Sequence, residues 1–570
     1  MHALRDGDRP NGAEATAEQE DGPYDLVVVG AGISGLAAAH LFREARPGAR
    51  VLLLDNHDDF GGHARRNEFR GDDGRLMLMN GGTMSIDSPR PYSAVADGLL
   101  RALGVAPEEL EARCSDRGFY ARRGCGRGVF FDRETFGADH LATGVGQRPW
   151  REVLRGAPLA DRASDDIVRL QEAVIDYLPD PAPDEKKARL ARMSYRDYLL
   201  RVAGADPAAL PFFQALSHGE WGVGADAVGA LDVWAFGFPG FRGLGLAPGA
   251  APGMGYTAAG YAATGGSASF HFPDGNASIA RLLVRGLVPG AVPGSTAEDV
   301  VAARADYARL DRPGADVRIR LESTVVAVRN VGGGAAAPGV EVTYLRGGRP
   351  RRVRAGGCVL ACWNMVIPYL CPELPEAQKA ALRYPVKVPL VYASVALRSW
   401  RAFRALGVAR VHAPGSYFSS LWLDPKTTIG GYDSVRSPEE PALLFMQRVP
   451  CAPGLDQRAQ HRAGQAELLA TPFARFEREI RGQLRRILGP GGFDAARDIT
   501  GITVNRWPHG YAYEYNALFD PDWAPGQAPH EVGRARFGRI GIANSDAGAA
   551  AYTDSAIDQA HRAVRELLSA

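Results

Sequence analysis

Gly30, Gly32 and Gly35 stand in GxGxxG spacing within VVVGAGISGLAAAHLF. The first glycine permits a tight turn, the second lets backbone approach a pyrophosphate, and the third lets a helix pack closely on its strand. The helix start, which includes Ser34, then offers amide donors and a positive dipole end to phosphate oxygens. Asp55, with Asn56 beside it, lies twenty residues beyond Gly35, where an acid accepts from a ribose hydroxyl. A glycine turn without a ligand is the plain alternative. Strand, turn, helix and acid in this order favour a bound dinucleotide, and the fingerprint alone does not choose between NAD and FAD.

Other residues have charge or rings to place. Lys387 is flanked by valines in YPVKVPLVYASV, so its ammonium needs either a partner or a route to solvent. Trp507, Tyr511 and Tyr513 crowd the segment RWPHGYAYEY, and Tyr552 precedes the last helical stretch; each serves equally well as pocket wall or core. Glu220, Asp226 and Asp232 lie in SHGEWGVGADAVGALDVW, and Glu514 lies among the tyrosines. Singly these read as surface carboxylates, and together they suit a cationic substrate. His218, His271 and His509 lack ligand spacing and read as ordinary hydrogen-bonded histidines. No metal site is expected.

The elements that must position these groups follow from periodicity. Residues 25–29 read as a buried strand, 33–45 as a helix and 51–55 as a second strand, a βαβ unit. Residues 92–220 read as mainly helical, and the glycine- and aromatic-rich stretch 221–268 as irregular. Residues 317–328 and 340–346 read as a hairpin across the loop 332–339. Cys358–Cys362, 388–397, 442–449 and 539–543 read as strands, 456–488 as a long amphipathic helix and 553–568 as a helix.

With 570 residues the chain calls for two domains. Lys and Arg total 66 against 65 for Asp and Glu, a net charge of +1, so a nucleic-acid partner has no electrostatic support. No run approaches the roughly 20 apolar residues that span a bilayer. Residues 1–22 read as a disordered leader without a signal peptide's apolar core, so a cytoplasmic location is expected. Six cysteines without a CxxC pair indicate neither a disulfide framework nor zinc.

After Asp55 comes DFGGHARRNEF, whose Gly61 and Gly62 resemble the GG pair of two-dinucleotide-binding flavoproteins, in particular the GGR of flavin-containing amine oxidases. His63 and His57 stand where that family usually or frequently has arginine. STVVAV at 323–328, CVLACWN at 358–364 and RIGIANSDAGAAAYTDSAIDQAHRA at 539–563 resemble further family segments in the same order. Longer stretches, HFPDGNASIARLLVR and VNRWPHGYAYEY among them, are similar to bacterial spermidine dehydrogenases and their relatives.

The resemblance implies noncovalent FAD. Its contacts would come from Gly30, Gly32, Ser34, Gly35, Asp55, Asn56, Gly61, Gly62, His63, the run Asn80, Gly81, Gly82 and Thr83, Val325 beside the adenine, Trp363, Asp546 on the ribityl chain and Ala556 near a helix start. It implies Lys387 at a water beside the flavin and Tyr552 as one wall of an aromatic cage with Trp507, Tyr511 or Tyr513 opposite; Glu220, by its charge, is a candidate partner for a polyamine's distal ammonium. The implied fold is α/β. A Rossmann-type FAD-binding domain (23–90, 272–292, 315–366 and 500–570) is interleaved with an α+β substrate domain (91–271 and 367–499).

The implied activity is oxidation of an amine C–N bond, with a polyamine such as spermidine as substrate and oxygen or a carrier as acceptor. The alternatives are a biosynthetic flavoenzyme acting on another amine or amino-acid-derived substrate, a desaturase-type flavoprotein, and a flavin-binding scaffold or partner protein without turnover. Some relatives carry haem; the chain begins after their N-terminal extension, and haem is not expected.

Overall fold

In the computed structural model, residues 13–20, 22–334 and 337–569 are described. The valine-rich run after Tyr24 is buried on both faces because it is the middle of a covered sheet. That eight-stranded sheet runs β8 (Val317–Arg320), β3 (Val51–Leu54), β2 (Tyr24–Val29), β11 (Arg349–Leu360), β10 (Val340–Arg346) and β9 (Ser323–Asn330), with β1 (Glu18–Gln19) and β19 (Ile540–Ile542) also paired to β11. Its β8–β3–β2–β11–β19 part is parallel. Leu26 and Val28 pack under α1 (Ile33–Ala45), α2 (Ala277–Leu287) and, further along the chain, α5 (Thr553–Leu568). Val27 and Val29 face the opposite core with Val340, Tyr344 and Leu370.

The second sheet has seven strands in the order β18 (Ile499–Tyr511), β12 (Val388–Leu397), β17 (Ala442–Arg448), β14 (Ser420–Leu423), β13 (Val408–His412), β6 (Gly126–Phe131) and β7 (His140–Val145). It is antiparallel except for β13 beside β6. A two-stranded ribbon of β4 (Arg66–Arg70) and β5 (Leu76–Asn80) puts Met77 and Met79 against Leu390 and Tyr392 of this sheet, and a second small ribbon joins β15 (Thr428–Ile429) to β16 (Tyr432–Asp433). Among the described residues no helix is long and apolar enough to cross a membrane.

Several expectations change. The leader was expected to be disordered through residue 22; residues 1–12 and 21 lie outside the described residues. Residues 13–20 make a helical turn and β1, because Glu14 pairs with Arg329 and Glu20 with Arg320. The helical stretch 92–220 contains β6 and β7. The irregular stretch 221–268 contains helices Ala230–Ala235 and Tyr256–Thr264. In place of one hairpin from 317, β8 pairs in parallel with β3 and the hairpin is β9 with β10; Glu322, at φ 52°, turns the chain between β8 and β9.

The helix expected over 456–488 is two, α3 (Gln457–Ala470) and α4 (Phe473–Leu488), since Pro472 cannot continue the first. Strand β18 belongs to the second sheet although 500–570 was assigned to the cofactor domain, and Leu99, Leu100 and Leu110, assigned to the substrate domain, pack in the first-sheet core.

The contact between α1 and β2 is tight at Gly35, where a Cβ would sit 1.9 Å from the Gly30 carbonyl oxygen. Gly35→Ala should therefore lower the stability of the apoprotein by about 1–3 kcal/mol or more, the scale of overpacking. A urea midpoint equal to that of the parent chain would refute this contact.

Candidate active site

The turn between β2 and α1 opens onto a cavity of about 1520 Å³ that runs from the glycine loop to the second sheet. Gly30 has φ 106°, and a Cβ there would press to 2.6 Å from the Ala361 oxygen. Gly32 differs: its φ is −71°, and a Cβ would meet no protein atom nearer than 3.8 Å, so this side of the turn is open to a ligand. Asp55, 5% exposed, fastens the turn, accepting from the Ala31 amide at 2.8 Å and from the His57 amide at 2.9 Å. Gly61 donates its amide to the Ala31 oxygen at 2.8 Å. Ser34 Oγ is buried at the helix start without a hydrogen-bond partner among the described residues. The open Gly32, the unmatched Ser34 hydroxyl and the helix N-terminus fit a dinucleotide pyrophosphate.

Further along, Lys387 immediately precedes β12 and Asp546 follows β19. Their side chains form a buried ion pair, at 4% and 3% residue exposure, and Asp546 also accepts from the Asn364 amide at 3.2 Å. His63 opens onto the cavity but is ringed by protein, and that desolvation, aided by the Lys387 charge, pushes its imidazole down to about 3, so it is neutral near pH 7. Its ring meets Trp507 edge-on at 4.8 Å, and Trp507 donates to the Gly81 oxygen at 2.7 Å. Trp363 stacks on His509 at 3.7 Å.

Beyond this point Tyr511 and Tyr392 share a hydroxyl hydrogen bond, and Tyr552, Tyr261, Asp87, Glu220 and Glu514 also line the cavity. Burial, with Glu220 and Asp554 nearby, raises Asp87 to about 7. Burial likewise raises Glu514 to about 7 against two hydrogen bonds from Thr257, both 2.7 Å. Glu220 is open to the cavity but ringed by protein, and that desolvation raises its pKa. The tyrosines are held protonated by burial, Tyr392 and Tyr261 at about 12. A cationic group entering here would favour the ionised carboxylates.

Residues 28–101 match the family described as NAD(P)-binding Rossmann-like domain. No curated protein matches the chain. Among solved structures, the chain is similar to putrescine oxidase bound to putrescine, at 16% identity and TM-score 0.54, covering 97% of this chain and 100% of that one. It is also similar to cyclohexylamine oxidase from Brevibacterium oxydans IH-35A, at 15% identity and TM-score 0.53, covering 96% and 99%. The same comparison finds a putative protoporphyrinogen oxidase from Exiguobacterium sp. 255-15, at 14% identity and TM-score 0.53, covering 97% and 100%. The chain has the amine-oxidase fold.

Within the amine-oxidase fold, most residues singled out in the sequence come together. The cavity wall includes Gly30, Gly32, Ser34, Asp55, Asn56, Gly61, Gly62, His63, Gly82, Thr83, Trp363, Asp546 and Ala556, and also Lys387, Trp507, Tyr511, Tyr552 and Glu220. Asn80 and Gly81 lie just behind it, with Asn80 donating to the Gly82 oxygen at 3.3 Å. Several candidates are elsewhere. Tyr513 is 1% exposed and donates to Asp520 at 2.8 Å, so it is core and not a cage wall. Asp226 accepts from Gln214, Gly454 and Gln460, and Asp232 accepts from the Gly255 amide; both brace loops. Val325, expected to meet the adenine through its backbone, turns its side chain into the core of the first sheet. His218 and His271 are half-buried, and desolvation lowers the pKa of each.

Asp87, Tyr392, Tyr261, Arg127 and Arg410 escaped notice in the sequence. The signal available for Arg410 was its alternation with apolar residues in VARVH, where Arg410 and His412 fall two apart.

Two outcomes follow from this geometry. Gly32→Leu should leave the apoprotein's melting temperature close to the parent's and reduce bound dinucleotide to under roughly a tenth per chain, because the side chain fills ligand space; retained dinucleotide would place the pyrophosphate elsewhere. Lys387→Met strands the Asp546 carboxylate and should cost about 3–5 kcal/mol, with most of it recovered when Asp546→Asn is added. Urea unfolding of the two apoproteins decides, and equal losses would mean the pair adds nothing.

Proposed function

We propose that the protein binds FAD noncovalently and oxidises an amine at the carbon next to nitrogen, the resulting imine being hydrolysed to an aldehyde and a shorter amine. The observation that carries this reading is the cavity itself, which joins a dinucleotide turn to a chamber where Asp87, Glu220 and Glu514 face tyrosine hydroxyls. Bound FAD supplies the two-electron acceptor. The chain's own residues bind and orient. The carboxylates attract the amine, Tyr511, Tyr392 and Tyr552 present hydroxyls and ring faces to it, and neutral His63 adds no repelling charge. A desaturase would want apolar walls, which these carboxylates contradict.

The amine substrates named for putrescine oxidase and cyclohexylamine oxidase support an amine, and the carboxylates suit a polyamine such as spermidine. A second reading, an amine of amino-acid origin, is favoured by Arg127 and Arg410, which also line the cavity and suit a second ammonium poorly. Oxygen or a carrier would accept the electrons.

An anaerobic screen of spermidine, putrescine, monoamines and amino acids tests the reaction. At least one amine should bleach the flavin, and acid precipitation should release the yellow colour into the supernatant. A flavin that no amine reduces would sink the reading, and a coloured pellet would sink the noncovalent attachment.

A further inference from the structure

One face of the second sheet is the floor of the cavity. Register places Trp507 beside Leu390, Tyr392 beside Gln447, Gln447 beside Ser420 and Trp422 beside Arg410. The last step pairs Arg410 on β13 with Arg127 on the parallel strand β6. Tyr392 and Arg410 are thus three strand spacings and two residues along the strand apart, about 16 Å. Both arginine side chains open onto the cavity, and neither makes an ion pair or side-chain hydrogen bond among the described residues. Arg410 lies over the Trp422 ring, 4.8 Å from its centroid. Glu220 acts on Arg410 through space without coming within 4.0 Å.

Arg410 opens onto the cavity but is ringed by protein, and that desolvation, together with repulsion from the neighbouring Arg127, lowers its pKa, with Glu220 only partly opposing the shift. An incoming anion reverses both penalties. The planar guanidinium fork matches the paired oxygens of a carboxylate or phosphate, and the contact with the Trp422 ring holds Arg410 in place before binding. We infer that Arg127 and Arg410 form an anion subsite, and that the substrate is an extended amine whose far end carries a carboxylate or phosphate group. For its amine end this inference rests on the amine-oxidising function proposed above; the subsite itself does not.

Holoenzyme titrated anaerobically with 8-aminooctanoate, 8-aminooctyl phosphate and 1,8-diaminooctane tests it, since the three differ at the far end alone. At least one of the two acids should bind ~10-fold or more tightly than the diamine, as one charge-assisted hydrogen bond predicts, and the tighter acid tells carboxylate from phosphate. Arg410→Gln and Arg127→Gln should each erase that preference, with flavin content and melting temperature confirming that the variants fold; Arg410→Lys should retain part of it.

Suberate and inorganic phosphate, which cannot be oxidised as amines, should raise the melting temperature of the parent holoenzyme, and either variant should abolish the rise. If no amine reduces the flavin but the suberate or phosphate response is lost in the variants, the oxidation reading fails and the subsite stands. A diamine bound as tightly as both acids, or a preference unchanged by both glutamine variants, overturns the subsite.

Discussion

Where the cavity passes between the two sheets, the Lys387 ammonium and the Asp546 carboxylate meet in a buried ion pair, the one at the start of β12 and the other just past β19. Such a pair adds modest net stability because both charges are desolvated, yet losing either partner is severe. Its effect is therefore one of specification. Only an arrangement that brings these two strand ends together satisfies both charges, and that arrangement also sets Trp363, His63 and Trp507 around the same space. The glycine turn fixes one end of the cavity, and the ion pair fixes how the second sheet is presented to it.

Along that second sheet the chemistry changes strand by strand. Ring and hydroxyl groups of Trp507, Tyr511 and Tyr392 give way to Gln447 and Trp422 and then to Arg410 and Arg127. The carboxylates come from elsewhere, Glu220 and Asp87 from loop and helix segments and Glu514 from just beyond β18. Because burial raises Asp87 and Glu514 to about 7, their charge near neutrality responds to what enters. A cation would hold them ionised; an empty chamber leaves them partly protonated.

The parts of this architecture written in local sequence were readable. The GxGxxG turn, its flanking strands, α1, β12 and α5 follow from periodicity and glycine chemistry, and most of the residues the motifs singled out line one cavity. Long-range pairing was not readable. Strand β18 carries aromatics that looked like one cluster, but its alternation sends Trp507 and Tyr511 to the cavity while Tyr513, beyond the strand's end, enters the core. The split of α3 from α4 rests on Pro472, visible in the sequence and outweighed by a continuous amphipathic pattern. Arg127 and Arg410 are distant in sequence and meet because β6 and β13 run in parallel, a pairing no local pattern announces. Asp226 and Asp232 resembled substrate contacts because a carboxylate that braces a loop has the same sequence signature as one that meets a ligand.

Strand β18 has a further implication for how the chain is made. It completes the second sheet, and the segment after it returns to add β19 and α5 to the first, so both sheets wait for the same C-terminal stretch. The glycine turn and α1 emerge early in synthesis, while the acid that closes the opposite wall emerges near the end. A nascent chain thus carries a dinucleotide turn with no facing wall, and the first sheet's core lacks the apolar side of α5. Final consolidation of both sheets is therefore a late event, and apolar surface stays exposed on the nascent chain until it occurs.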